Sequence, residues 1–406
     1  MLRRVAGAVA APLRRSLCTA VSRPPWALTY RMAPLGAPSP GARPSLDLHE
    51  PPCVSQLSVP THLADGMDLA AVSIQAASCD GLLLLDFAGT LRGPEGTRDY
   101  YDPAVAAFAA AYEPGVRRFV CNPLSGELFR LPLPNMDAEK ITMPFGLITQ
   151  SDSADGLPDR FVVAQLCLRK RDGQRVVRRF LSETGEWDEP PLFVPAEAPG
   201  WRAMPLHEVV AFGDRLWWLD PYFGVFSVDP FSDRPEHGFV VLPRPLPNFD
   251  MEVQPELYRL LGVSEGKLRY VELTIKEPFM LYSFSLDDEG SSWKLTHETR
   301  MNLVLPDKST PRLDQMPWIS AIDPFNANIL YFQHDEIISA LDLGEGERIG
   351  RSAFPDDIKS MYHGFVPVML PAWLESYNIP CAGKTTNCTS KTLADMLVRV
   401  DKDRRN

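Results

Sequence analysis

The chain has 406 residues, 45% of them hydrophobic and 10% aromatic, enough to bury one large core or two smaller ones. Its 39 prolines and 26 glycines suit many short strands and turns, and no apolar run reaches the ~18 residues of a membrane span. The formal net charge is −11, and all 52 acidic residues lie beyond Leu46 against 34 of the 41 basic ones; so acidic a body argues against general nucleic-acid binding.

In chain order, residues 1–32 read as a targeting presequence. Leu2, Val5, Val9, Leu13 and Leu17 recur near helical spacing, with Arg3, Arg4, Arg14 and Arg15 on the other side and Pro12 interrupting. Seven arginines and no acid precede Asp47. An Arg-rich, acid-free amphipathic segment is what mitochondrial import reads, because a potential negative inside draws cations inward. The expected address is mitochondrial, with plastid or cytosol as alternatives. Residues 33–60, rich in Pro, Ala, Gly and Ser, read as a linker whose later part, Ser45 to Val59, has strand character.

Residues 61–377 form the body, folded from Val72 onward. Five times an apolar strand enters a polar turn and returns as a second strand: FVCNPLSGELFRLP, RRFLSETGEWDEPP, VFSVDPFSDRPEHGFVVLP, LYSFSLDDEGSSWKL and ISALDLGEGERIG. The turns fall at Asn122, Glu183, Asp229, Asp287 and Asp342. A hairpin returning about every 55 residues is in the range of propeller blades. Each module supplies three or four strands, and GFVPVMLPAW offers a closing strand for a sixth. The fold expected is all-β, a single β-propeller-like domain of five to six blades. An Ala-rich detour, Tyr100 to Tyr112, reads as a short helix. Residues 378–406 form a polar tail in which Leu393, Met396, Leu397 and Val400 suit a short amphipathic helix.

SCDGLLLLDF followed by FVCNPLSGELFRLPLP resembles the opening of plant F-box-associated propellers. RLWWLDPYFGVFSVDPFSDRPEHGFVVLPRP, FMLYSFSLDDEGSSWKL and ISAIDPFNANILYF resemble more closely a plant domain-of-unknown-function family expanded in cereals. The likeness runs from about Ser45 to Trp373. It implies a propeller and no particular activity, catalytic set or cofactor. No F-box-like helical segment is seen before the body, which weighs against a ubiquitin-ligase adaptor.

Motifs of chemistry are few. Seven cysteines without a CxxC pair suit neither a disulfide framework nor structural zinc. Cys79, Cys121 and Cys167 read as small buried hydrophobes inside strands, and Cys381 and Cys388 as exposed tail thiols. The histidines lack metal-ligand spacing, Gly383-Lys384-Thr385 lacks the rest of a phosphate loop, and no GxSxG is present. The basic run Arg169, Lys170, Arg171, Arg175, Arg178 and Arg179 straddles Asp172-Gly173, so it reads as a solvated hairpin edge, with an anion or RNA contact as the functional alternative. Trp217 and Trp218 read as core, one on each side of a strand. Tyr222 and Phe223, following an Asp-Pro turn, join Trp201 and the hairpin residues Arg169, Arg171 and Arg175 as the candidate interaction surface. The Asn-Pro and Asp-Pro pairs read as turn chemistry. The expected function is a monomeric, non-enzymatic scaffold for a protein partner, without cofactor or metal. The alternatives are an enzyme whose residues converge at the propeller channel, and a cytosolic adaptor.

Overall fold

A computed structural model describes residues 23–36, 41–64, 69–89, 116–134, 140–152, 156–169, 171–194, 208–246, 257–301, 316–354 and 364–380, apart from 275, 277 and 377. The Tyr100 to Tyr112 segment, the amphipathic stretch from Leu393 and the leader arginines Arg3, Arg4, Arg14 and Arg15 lie outside the described residues.

Five antiparallel sheets and a sixth of mixed pairing stand around one axis. Blade 1 runs outward through Leu69–Ala77, Leu83–Gly89, Arg117–Cys121 and Leu128–Arg130. In blade 2 the inner strand is split into Lys140–Thr142 and Gly146–Gln150, both paired to Arg160–Arg169, with Arg175–Leu181 and Glu186–Asp188 outside. Blade 3 is Val209–Phe212, Arg215–Asp220, Gly224–Val228 and Gly238–Val241. Blade 4 is Arg259–Ser264, Lys267–Leu273, Met280–Leu286 and Trp293–Arg300, and blade 5 is Trp318–Ile322, Ile329–His334, Ile337–Asp342 and Glu347–Ala353. The inner strand of each blade packs against that of the next, and the ring closes when Phe365–Met369 meets both Trp318–Ile322 and Leu69–Ala77.

The sixth blade combines the first described strands with the last. Phe365–Met369 pairs antiparallel with Trp26–Tyr30 in the register Trp26↔Met369 to Tyr30↔Phe365. A parallel bridge from Thr29 to Ser55 then joins Gln56–Pro60 and Ser45–Asp47. Both boundaries expected upstream of the body therefore shift. Trp26–Tyr30 is buried along its whole length, so the fold begins inside the stretch assigned to the leader; within 33–60, Ser45–Asp47 and Gln56–Pro60 supply the strand character expected of Ser45 to Val59, and Leu35–Gly36 adds a strand to the part read as linker. The cause is a missing partner: among the described residues no strand follows Phe365–Met369, and an inner strand left unpaired would bury bare amides.

Apolar side chains fill the gaps between blades, as expected for sheets covered on both faces. Trp217 packs toward blade 4 among Leu261, Tyr270 and Phe284, while Trp218 packs toward blade 2 among Val162, Val177 and Leu216. Adjacent tryptophans thus enter opposite layers, and deleting either ring would cost about 3–5 kcal/mol. Buried charges are paired. The Arg118 guanidinium meets the Asp86 carboxylate at 2.9 Å and 3.1 Å and lies 4.3 Å above the Phe145 ring of blade 2.

The five recurrent turns occupy the same place in five blades, between the third and fourth strands. Asn122 Oδ1 accepts the amides of Leu124 and Ser125, Asp229 Oδ1 that of Phe231, Asp287 Oδ1 that of Ser291, and Asp342 Oδ1 those of Gly344 and Glu345. Glu183 is the exception; there Thr184 Oγ1 accepts the Glu186 amide. Asp220 and Asp323 cap turns of their own in the same way. A short side-chain acceptor reaches amides two residues on, which is why Asx residues hold these corners.

Candidate functional site

Two regions qualify as sites: the central channel, and the turns at either end of the blades. In a meander the first-to-second and third-to-fourth turns share one end, and the second-to-third turns share the other.

The channel is crossed by the segment leaving Trp26–Tyr30. The Arg31 amide donates to the Gly364 carbonyl at 2.8 Å, and the Arg31 carbonyl accepts the Ile74 amide at 2.7 Å, tying blade 6 to blade 1. Met32–Ala33 then pairs on the axial edge of Leu69–Ala77. The guanidinium follows this strand, with Nη1 donating to the carbonyls of Ile74 and Gln75 at 3.1 and 3.2 Å. From blade 3, Glu208 Oε2 accepts the Leu261 amide of blade 4 at 3.2 Å. Leu273 donates to Tyr258, so in Arg259–Ser264 the even-numbered residues bond the second strand and Leu261 turns its amide to the axis. Glu208 is thus a cap for an amide that the inner edge of a blade leaves free. Desolvation raises its carboxyl to about 7, opposed by the Arg31 charge and the Leu261 amide. Sequence reasoning passed over both residues, because Arg31 lay in the presumed leader and Glu208 beside a histidine read only for metal spacing.

A second buried cluster joins blades 3 and 4. Glu272 meets Arg259 at 3.2 Å and Arg244 at 3.1 Å and accepts the Tyr270 hydroxyl at 2.8 Å. Arg259 also donates to the carbonyls of Pro221 and Arg244. Desolvation raises the Glu272 pKa, with Arg259 the chief opposing influence. The arrangement fastens the Pro221 turn to the next blade.

The predicted surface residues separate. Trp201 lies outside the described residues. Tyr222 does not reach a propeller face: it is 3% exposed, its amide held by Asp220 and its carbonyl accepting from Leu246. The Asp-Pro corner folds the ring inward, because the turn is pinned by Arg259. Phe223 is half-buried and its carbonyl accepts the Leu242 amide. Arg171 is exposed, and Arg169 and Arg175 are half-buried. Arg169 bonds Gln174 across the hairpin and lies 3.8 Å from Asp172. These residues and Phe223 occupy the second-to-third turns of successive blades, so they share one end of the ring.

Lys170 lies outside the described residues, and Arg178 and Arg179 do not form a solvated edge. Arg178 and Arg179 are 1% and 4% exposed; Arg178 pairs with Glu189, and Arg179 pairs with Asp188 while donating to the carbonyls of Pro230 and Ser232 in blade 3. Neighbouring positions on a strand point to opposite faces, and here each face meets another blade. Nearby, burial first and then the Arg175 and Arg215 charges push His237 down to about 4. Cys121 and Cys167 are buried as expected, but Cys79 sits exposed in the turn after Leu69–Ala77. That turn ends at Gly81, where φ is +88° and a Cβ would stand 2.1 Å from the Met369 carbonyl oxygen. No helix among the described residues is long and apolar enough to cross a membrane.

Comparison with known proteins bears on this geometry. The family described as F-box protein At3g26010-like, beta-propeller, matches residues 104–342, more than half of the chain. No curated protein matches. Among solved structures, the Cps50 (Swd1) β-propeller domain of Myceliophteria thermophila is 10% identical, with 70% of this chain and 74% of that one covered and a TM-score of 0.35. The periplasmic gluconolactonase PpgL of Pseudomonas aeruginosa is 11% identical over 72% and 73%, with a TM-score of 0.35. A prolyl endopeptidase is 14% identical over 69% of this chain, with a TM-score of 0.31, and the chain spans 33% of its length. At these scores the likenesses add nothing to the fold already described.

Proposed function

This chain belongs to the family of At3g26010-like β-propellers of F-box proteins, and from that membership we propose that it is a non-enzymatic scaffold that presents propeller turns to a protein partner after import into mitochondria. The observation that carries this reading is the state of the channel. Arg31 and Glu208, the charged groups described there, both bond the backbone of inner strands. An enzyme assembled at the axis needs groups directed at a substrate. The outward turns, by contrast, leave charged and aromatic side chains to solvent, as a contact surface requires. The hairpin carrying Arg169, Arg171 and Arg175 is the candidate contact at one end.

The address rests on the arginine-rich, acid-free residues that precede Trp26. The matched family's name favours a second reading, an adaptor in protein turnover, which would work in the cytosol. One experiment separates the two. Residues 1–25, which stop short of the first strand, are fused to a fluorescent protein, and the full chain is fused to a proximity-labelling enzyme in intact plant cells. Mitochondrial fluorescence with labelled matrix proteins is the expected result. A diffuse signal with labelled ubiquitin-ligase subunits would replace the first reading by the second.

A further inference from the structure

Blades 1 to 5 are each built of strands consecutive in the chain, whereas blade 6 is stitched from separate pieces. Its inner strand, Phe365–Met369, has one sheet partner among the described residues, Trp26–Tyr30. Beyond that strand the sheet continues through Ser55, whose amide donates to the Leu28 carbonyl at 2.7 Å and whose carbonyl accepts the Tyr30 amide at 3.2 Å. Before the strand, Arg23 donates to the carbonyls of Leu370 and Pro371 at 3.0 and 3.3 Å and pairs with Glu375. Its two faces differ. Trp26, Leu28 and Tyr30 enter the layer toward blade 5, where Trp26 meets Tyr331 edge-on at 5.5 Å and Tyr30 lies 5.8 Å from Phe354. Toward blade 1 the strand offers only Ala27 and Thr29. Thr29 is wholly buried, yet its hydroxyl has no hydrogen-bond partner among the described residues. Such a group disfavours the closed state, and valine would fill the same space without that penalty. The strand that shuts the ring thus carries a group favouring its own departure, and it follows an arginine-rich, acid-free segment.

We propose that Trp26–Tyr30 is a releasable strap: capture of the residues before Arg23 draws it off Phe365–Met369 and opens the ring at blade 6, and the ring shuts once the chain has reached its compartment. Tension on those residues enters the sheet at the Trp26↔Met369 pair, from which the pairs part in turn toward Tyr30↔Phe365. Blades 1 to 5 have no strand adjoining that segment and keep their own hairpins. Opening of one cooperative unit at a cost below that of global unfolding is the general behaviour of such seams. The part played in transit rests on the import reading; the release of the strap does not.

Hydrogen exchange of the purified full chain tests the release. The amides of Ala27, Thr29, Val366 and Val368 bond across the strap, as those of Trp218 and Phe226 do within blade 3. The blade 6 amides should be at least about tenfold less protected than the blade 3 pair. Thr29→Val should raise their protection about tenfold and leave Trp218 and Phe226 unchanged. Equal protection in the two blades, or an equal gain in both from the valine, would mean that the strap leaves only on global unfolding and would overturn the proposal. Uptake by isolated plant mitochondria tests the coupling. Leu28→Cys with Pro367→Cys, a facing pair without backbone hydrogen bonds, locks the strap when oxidised. Oxidation should abolish uptake and reductant restore it, and Thr29→Val alone, which needs no crosslink, should slow it severalfold. Uptake of the locked and valine chains at the parent's rate would overturn the proposal. Residues 1–25 fused to a fluorescent protein report the address by themselves: their failure to enter removes the import reading, while hydrogen exchange still decides the strap.

Discussion

At the scale of single residues, the chemistry of this propeller lies in groups that the pattern of the chain disguises. Glu208 is a carboxyl whose folded pKa, about 7, stands above its ordinary value of 4.5. Its proton is bound more tightly in the folded state, so it favours folding fully below pH ~4.5, and that contribution is lost as pH rises through ~7. Urea titrations between pH 5 and 8 should therefore show stability falling with pH, and Glu208→Gln should remove that part of the slope. A variant whose stability kept the same pH dependence would show that Arg31 and the Leu261 amide already hold the group ionised. Among sequence readings, Trp217 and Trp218 were legible because a two-residue aromatic run in a doubly covered strand must enter both layers. Tyr222 was not, because whether an Asp-Pro corner turns its next ring outward depends on Arg259, 37 positions further along the chain.

At the scale of elements, hairpins were readable and closure was not. Alternation, Gly turns and Asx corners are local, and they marked five blades. The strand Trp26–Tyr30 has the same apolar character as any other, yet it follows five arginines in an acid-free segment and so reads as address. Its register with Phe365–Met369 and the links from Arg23 to Leu370 and Glu375 are contacts across the entire body. Two truncations follow from this. A chain starting at Arg23 should keep the melting temperature of the full chain, since it retains every described strand. A chain starting at Arg31 loses Trp26, Leu28 and Tyr30 from the layer between blades 5 and 6. It should unfold many degrees lower or be recovered as aggregate, because an inner strand is left with a bare edge. Equal melting of the two would show that the closing strand is dispensable.

At the scale of the whole molecule, the ring makes Trp26–Tyr30 and Phe365–Met369 neighbours, and these strands matter less for where they lie in sequence than for the blade they complete. Opening the chain at Gly173, in the exposed hairpin turn of blade 2, and joining Pro380 to Arg23 through a short Gly-Ser linker should preserve the fold, since no strand is interrupted. A cooperative melt within a few degrees of the parent, followed by circular dichroism, is the expected outcome; a broad or absent transition would mean that blade 2 must be continuous. What the sequence by itself determined is the module: strand lengths, corner residues and blade count to within one, all set by periodicity and local hydrogen bonding, together with an acidic body that follows a basic segment. Only the tertiary structure decided how the ring shuts, that Arg31 and Glu208 meet the backbone at the axis, and that Arg178 and Arg179 are buried between blades. Those are long-range juxtapositions. Closing a loop of hundreds of residues leaves no mark in the spacing of the residues it brings together.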